Sequence, residues 1–143
     1  MLGFLRGVLG GNVFYPFEEM ILEKVTSSMG GESGLRLTQQ IAVINYVQRH
    51  REGREVNLYQ MKNGKAGFDN DLRFPNATDE ELLAHVILTS PPKKAELKAD
   101  LWMAGGRIFS LEFDQEPKKF FSGTHLREAR AEIAEVKICI DYS

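Results

Sequence analysis

The chain has 143 residues, enough for one domain that buries roughly two-thirds of its unfolded surface. Basic and acidic residues nearly balance, 18 against 20, for a net charge of -2. That balance argues against a polyanion as the main partner and leaves no strong nucleic-acid signal. A lone cysteine, Cys139, excludes an intrachain disulfide framework, and no apolar run reaches the ~20 residues of a transmembrane segment.

The first 14 residues, MLGFLRGVLGGNVF, are apolar but interrupted by Arg6 and by four glycines. They lack a charged region ahead of the apolar part and an Ala-x-Ala-like site, so no secretory leader is expected. With the lone Cys139, expected as a buried strand thiol, this predicts a cytoplasmic, bacterial-type protein. Residues 1–13 can form a short helix with Leu2, Leu5 and Leu9 on one face. Such an end needs cover from its own domain, a second subunit or a lipid surface. Leu2, Phe4 and Leu5 are therefore candidates for a self-association surface.

PFEEMILEKVTSSM, residues 16–29, predicts the first firm helix. Pro16 suits a first helical position, Glu18 and Glu19 favour the positive end of the helix dipole, and Phe17, Ile21, Val25 and Met29 share a face. Gly30 and Gly31 end it, and GGESG reads as a flexible connection. Ile41, Val43, Ile44 and Val47 are β-branched, so 39–49 and 55–61 are predicted as a hairpin with REGR at its tip and Arg49 opposite Glu55. Helix over 38–50 is the competing reading. Residues 62–77 are turn chemistry, with Phe68, Leu72 and Phe74 pinning the loop to the core. TDEELLAHVILTSPP predicts a helix over 79–88, with a Thr78–Glu81 capping box and Leu82, Leu83, Val86 and Ile87 as its apolar face. Residues 115–124 are expected as a loop holding Phe120 and Phe121. LREARAEIAEV suggests another helix, and VKICIDYS a closing strand with Val136, Ile138 and Ile140 on one side.

LKADLWMAGGRIFSLEFD, residues 97–114, is the clearest hairpin. A two-residue Gly105-Gly106 turn mixes Lys98, Asp100 and Trp102 with Phe109, Leu111 and Phe113 on one face. A three-residue Ala104-Gly105-Gly106 loop instead gives an apolar face of Leu97, Ala99, Leu101, Phe109, Leu111 and Phe113. It also pairs Lys98 with Glu112, Asp100 with Ser110, and Trp102 with Ile108. Trp102 and Ile108 are then an apolar pair on a polar face: a local cross-strand packing contact, a pair lying under the loop that holds Phe120 and Phe121, or the kind of anchor that a protein contact uses. The stretch AELKADLWMAGGRIFSLEF resembles a strand–Gly–strand pattern of small bacterial proteins, some toxin-immunity proteins among them. The likeness is confined to this hairpin and transfers no site.

Motifs for chemistry are few. His50, His85 and His125 show no zinc spacing, and Asp69 and Asp71 lack the longer series of a calcium loop. Gly64-Lys65-Ala66-Gly67 is not a phosphate loop. His85, Asp71 and Glu112 are the candidates should the chain be an enzyme. No cofactor or metal is implied. Arg49, Arg51 and Arg54 cluster at one hairpin tip, and Lys93, Lys94, Lys118 and Lys119 flank the other hairpin.

The expectation is a single α+β domain over 1–143. Its antiparallel sheet has about five strands, from two hairpins and a C-terminal strand, with two to three helices mainly on one face. The expected function is a non-enzymatic protein-interaction module, a homodimer or an immunity-like binding protein, using Trp102, Ile108, Leu2, Phe4 and Leu5. The alternatives are a ligand-binding domain or enzyme with a pocket between sheet and helix, and a weak nucleic-acid binder.

Overall fold

A computed structural model describes residues 13–75, 79–90 and 95–142. Helix α1, Pro16–Met29, has the predicted boundaries. Pro16 occupies the first turn, where no N–H partner is needed, and the Glu18 carboxylate accepts the Tyr15 N–H at 2.8 Å. Phe17, Ile21, Leu22 and Val25 are fully buried.

The expected flexible GGESG connection is instead a corner between two helices. Gly30, at φ +63°, ends α1, and α2 starts at once as Gly31–Val43. Its buried stripe is Gly34, Leu37 and Gln40 at helical spacing. Burial of that stripe outweighs the small helical penalty of Ile41 and Val43, on which the strand reading rested. Gly34 has a packing reason too: a Cβ there would lie 2.8 Å from the Thr26 carbonyl oxygen of α1.

The strands are β1 Tyr46–His50, β2 Glu55–Lys62, β3 Lys65–Gly67, β4 Glu80–Thr89, β5 Glu96–Ala104, β6 Arg107–Phe113 and β7 Glu132–Ile138. Helix α3, Pro117–Phe120, is a single turn. The fold is α+β, as expected, with seven described strands rather than five. Six run in the order β1-β2-β6-β5-β4-β7, each antiparallel to its neighbours, and β3 pairs with the end of β2.

Four sequence expectations fail here. The β1–β2 hairpin is shorter than predicted and turns through four residues, so Glu55 faces His50 while Arg49 faces Val56. Residues 80–89 form a strand, not a helix: Ala84, Val86 and Leu88 are buried while His85, Ile87 and Thr89 are not. A bulge at Leu83 hides this two-residue period, since two consecutive residues, Leu83 and Ala84, are both buried. The helix expected within 126–136 is replaced by turns leading into β7. Beyond it the alternation of Val136, Ile138 and Ile140 holds, each packed against the core, but Cys139 is exposed rather than buried.

The β5–β6 hairpin resolves its loop-length conflict by a third route. Gly105 and Gly106, at φ +58° and +82°, form a two-residue turn of the kind that requires positive φ twice. Ala104 therefore faces Arg107 and Met103 faces Ile108. A bulge at Phe109 then shifts the register, so that Leu101 faces Leu111 and Ala99 faces Phe113. The bulge keeps apolar residues on one face without a longer loop. The expected pairs of Trp102 with Ile108, Asp100 with Ser110 and Lys98 with Glu112 are not formed. Gln40, fully buried, holds the distorted segment: its side-chain oxygen accepts the Ile108 N–H at 2.9 Å, and its nitrogen donates to the carbonyls of Gly106 and Leu72.

The inner sheet residues form one apolar cluster with α1, α2 and the α3 segment. Phe120 and Phe121 are in it, Phe121 lying 4.9 Å from the Phe17 ring, so they do not cover Trp102. Between α1 and the sheet, the Arg49 guanidinium makes a two-pronged ion pair with buried Glu18 and stacks 4.1 Å over Tyr15.

Candidate functional site

Strand alternation fixes what the other face of the sheet carries. Val56, Leu58, Leu97, Ala99, Leu101, Leu111 and Phe113 enter the core, so their sequence neighbours face away from the helices. Cross-strand pairing strings these neighbours into rows. One row crosses all six strands: His50 faces Glu55, Glu55 faces Glu112, Glu112 faces Asp100, Asp100 faces His85, and His85 faces Lys137. The next row runs Gln48, Asn57, Ser110, Trp102, Leu82.

Three carboxylates, Glu55, Glu112 and Asp100, thus stand on three adjacent strands with nothing between them. Directly opposed side chains in a sheet are ~4.5–5.5 Å apart at Cβ, and like charges so placed destabilise it. Glu112 registers the effect. Partial burial raises its pKa above the ordinary carboxylate value, and Glu55, Asp100 and Glu80 push it further, with Arg51 in part opposing them. Asp100 is relieved on its other side by His85, whose Nδ1 lies 2.6 Å from its Oδ1. Glu55 and Glu112 have no ion pair or side-chain hydrogen bond among the described residues.

On the neighbouring row, Ser110 is only 1% exposed and its Oγ has no hydrogen-bond partner; the Trp102 indole N–H is likewise buried and unpaired. Trp102 itself is half-buried, with Ser110 on one side and Leu82 on the other.

The predicted site residues are therefore dispersed. Trp102 lies, half-buried, on the sheet face away from the helices. Ile108 is fully buried in the core, opposite Met103, and cannot form a surface contact. Leu2, Phe4 and Leu5 lie outside the described residues. His85 and Glu112 share the charged row, with Asp100 between them, while Asp71 stands apart on a 3-10 turn whose carbonyl accepts a bond from Arg36 of α2. Sequence reasoning missed Glu55 and Asp100 as members. Their signal is the alternation of charged with apolar residues in EVNLYQ and LKADLW, but only the bulged register aligns them.

The row is linear rather than convergent. No group of three or more His, Cys, Asp or Glu side chains stands at metal-holding geometry among the described residues. What a run of carboxylates beside an aromatic ring does well is receive cationic groups. No family model, curated protein or solved structure matches the chain.

Proposed function

We propose that the chain is a protein-interaction module whose open sheet face receives a lysine- or arginine-rich segment of a partner protein. The observation that carries this reading is the unbroken Glu55–Glu112–Asp100 run. It stands on the face opposite the helices, where a packed fold gains nothing from three opposed carboxylates. A basic partner relieves their mutual repulsion, and charge complementarity of this kind sets partner choice and association rate. Trp102, one row away, supplies the aromatic anchor favoured at the centre of interfaces. A second copy of the chain fits this face less well. A two-fold contact centred on the row would set carboxylates against carboxylates.

The chain's single tryptophan makes the test direct. Titration with an arginine-rich peptide at low ionic strength is expected to change Trp102 fluorescence, and added salt to reverse the change. The Glu55→Gln/Glu112→Gln double variant is expected to bind at least ~10-fold more weakly, a difference of ~1.4 kcal/mol. The Glu132→Gln/Glu135→Gln pair on β7 serves as the control. Absence of binding, or equal loss in the two double variants, overturns the proposal.

A further inference from the structure

Parts of two basic clusters that are far apart in the sequence meet in the fold, while Lys93 and Lys94 lie outside the described residues. The β1–β2 tip, with Arg51 and Arg54, closes on α3, with Lys118 and Lys119: a Cβ at Gly53 would lie 3.8 Å from the Pro117 ring. Between the tip, α3 and the start of α1 lies a cavity of about 450 Å³. Leu126 is its part-exposed aliphatic side chain, with Phe17 and Pro117 buried behind the surface, while exposed Arg51 and Lys118 also line it. Arg127 reaches the same corner, 5.4 Å over the Tyr15 ring.

The charge balance of this corner is uneven. Glu18 is occupied by Arg49, and Glu116 by Lys119. Arg51, Lys118 and Arg127 have no carboxylate in ion-pair reach among the described residues. Arg54 has a buried Nε with no hydrogen-bond partner. Glu52 is the remaining carboxylate lining the cavity, and it too is in no ion pair among the described residues.

We propose that this cavity is a binding site for a small phosphate-bearing molecule, separate from the acidic sheet face. Arg51 and Lys118 hold the phosphate, and the part-exposed Leu126 side chain meets an apolar portion. A guanidinium matches phosphate oxygens two at a time, and an ammonium adds a point charge. A concave site walled largely by charged side chains suits a small charged ligand better than a polymer backbone tracking across a surface.

Calorimetric titration with inorganic pyrophosphate and with phenyl phosphate tests the proposal. Both are expected to bind, phenyl phosphate the tighter per phosphate because its ring reaches the lining. Lys118→Ala and Arg51→Asn are expected to weaken pyrophosphate at least ~10-fold, asparagine being chosen because Arg51 has a positive φ that asparagine tolerates. Glu52→Gln is expected to strengthen it, an effect that a merely structural role for the tip does not produce. Lys65→Ala, on β3, is expected to change nothing, and circular dichroism checks that each variant folds. No binding of either probe overturns the proposal. So does equal weakening by Lys65→Ala. A single-stranded oligonucleotide that binds without displacement by pyrophosphate also overturns it, in favour of a nucleic-acid surface. Arg51 also lies within electrostatic reach of Glu112, so Lys118→Ala and Glu52→Gln are the variants that separate this site from the acidic face.

Discussion

Glu112 is the residue at which the open face acts back on the fold. Its folded pKa is raised, first by partial burial and then by Glu55 and Asp100. The folded chain therefore holds this proton more tightly than the unfolded chain does. Stability linked to Glu112 is present at low pH and is lost as pH rises from the ordinary carboxylate range through the raised folded value. Glu112→Gln imitates the protonated form. It is expected to raise the melting temperature at pH 7, by a stability gain of roughly 0.2–1 kcal/mol, the cost of one like-charge pair. The gain should fade near pH 4, where the carboxylate of the parent chain is itself protonated. Melting curves at the two pH values check this, and a uniform gain at both would mean that repulsion is not its source. Ser110 gives a companion test on the same face. Its buried Oγ has no partner, so Ser110→Ala should leave stability unchanged or raise it by up to ~1 kcal/mol in a urea titration.

At the scale of elements, α2 does more than cover the sheet. Gln40 reaches across it to fasten the turn and bulge of the β5–β6 hairpin, with its oxygen on Ile108 and its nitrogen on Gly106 and Leu72. Gln40→Leu keeps the volume but leaves the Ile108 N–H and the Leu72 carbonyl without the Gln40 bonds, each costing ~1–3 kcal/mol when buried, while the Gly106 carbonyl keeps the Phe74 N–H. A loss of about 2 kcal/mol or more is expected in chemical denaturation. A loss below ~1 kcal/mol would show that water or a shifted turn replaces the side chain. Gly34→Ala is expected to destabilise as well, against helix propensity, because the methyl meets a carbonyl at 2.8 Å rather than a movable side chain.

The same elements show which features can be read from residues alone. Helix α1 was legible because its proline, acidic first turn and apolar stripe all agree. The inner face of β5 was legible from its alternation, and with it Leu97, Ala99 and Leu101. The rest failed where one residue breaks a period. Bulges at Leu83 and Phe109 displace the alternation on β4 and β6, and a bulge leaves no mark in composition. The helix expected over 79–88 fell to the first, while the pairing of Trp102 with Ile108 fell to the two-residue turn, which sets Ile108 opposite Met103. Gln40 could not have been singled out, since its three partners lie 32 to 68 positions away. The charged row was illegible for a related reason. Its members come from six strands, and their alignment requires the order β1-β2-β6-β5-β4-β7, which local pattern does not specify.

At the scale of the whole molecule, one polar contact joins the layers at the edge opposite β7. The Arg49 guanidinium from β1 grips both oxygens of Glu18 on α1 and donates to the Val13 carbonyl, while stacking on Tyr15. Glu18 is 1% exposed, so losing its partner leaves a charge with no water to replace it. Arg49→Met keeps most of the apolar stem and removes the charge. Breaking a buried pair from one side costs ~3–5 kcal/mol, and about 3 kcal/mol is expected here because the Arg49 side chain is 24% exposed. Against a typical total of ~5–15 kcal/mol this is a large share, so the urea midpoint should drop clearly. The manner of the drop is the sharper test. The apolar cluster runs without a break from α1 through the sheet to Ala131, so the helical layer and the sheet should unfold together, in a single transition of unchanged slope. Two transitions, with helix signal and tryptophan signal separated, would mean that the layers are independent units. The double variant Glu18→Gln/Arg49→Met discriminates further. The amide oxygen introduced by Glu18→Gln can still accept the Tyr15 N–H but carries no charge, so about half of the lost stability or more should return. If none returns, Arg49 matters through its stacking on Tyr15 and its bond to Val13 rather than through neutralising the buried acid.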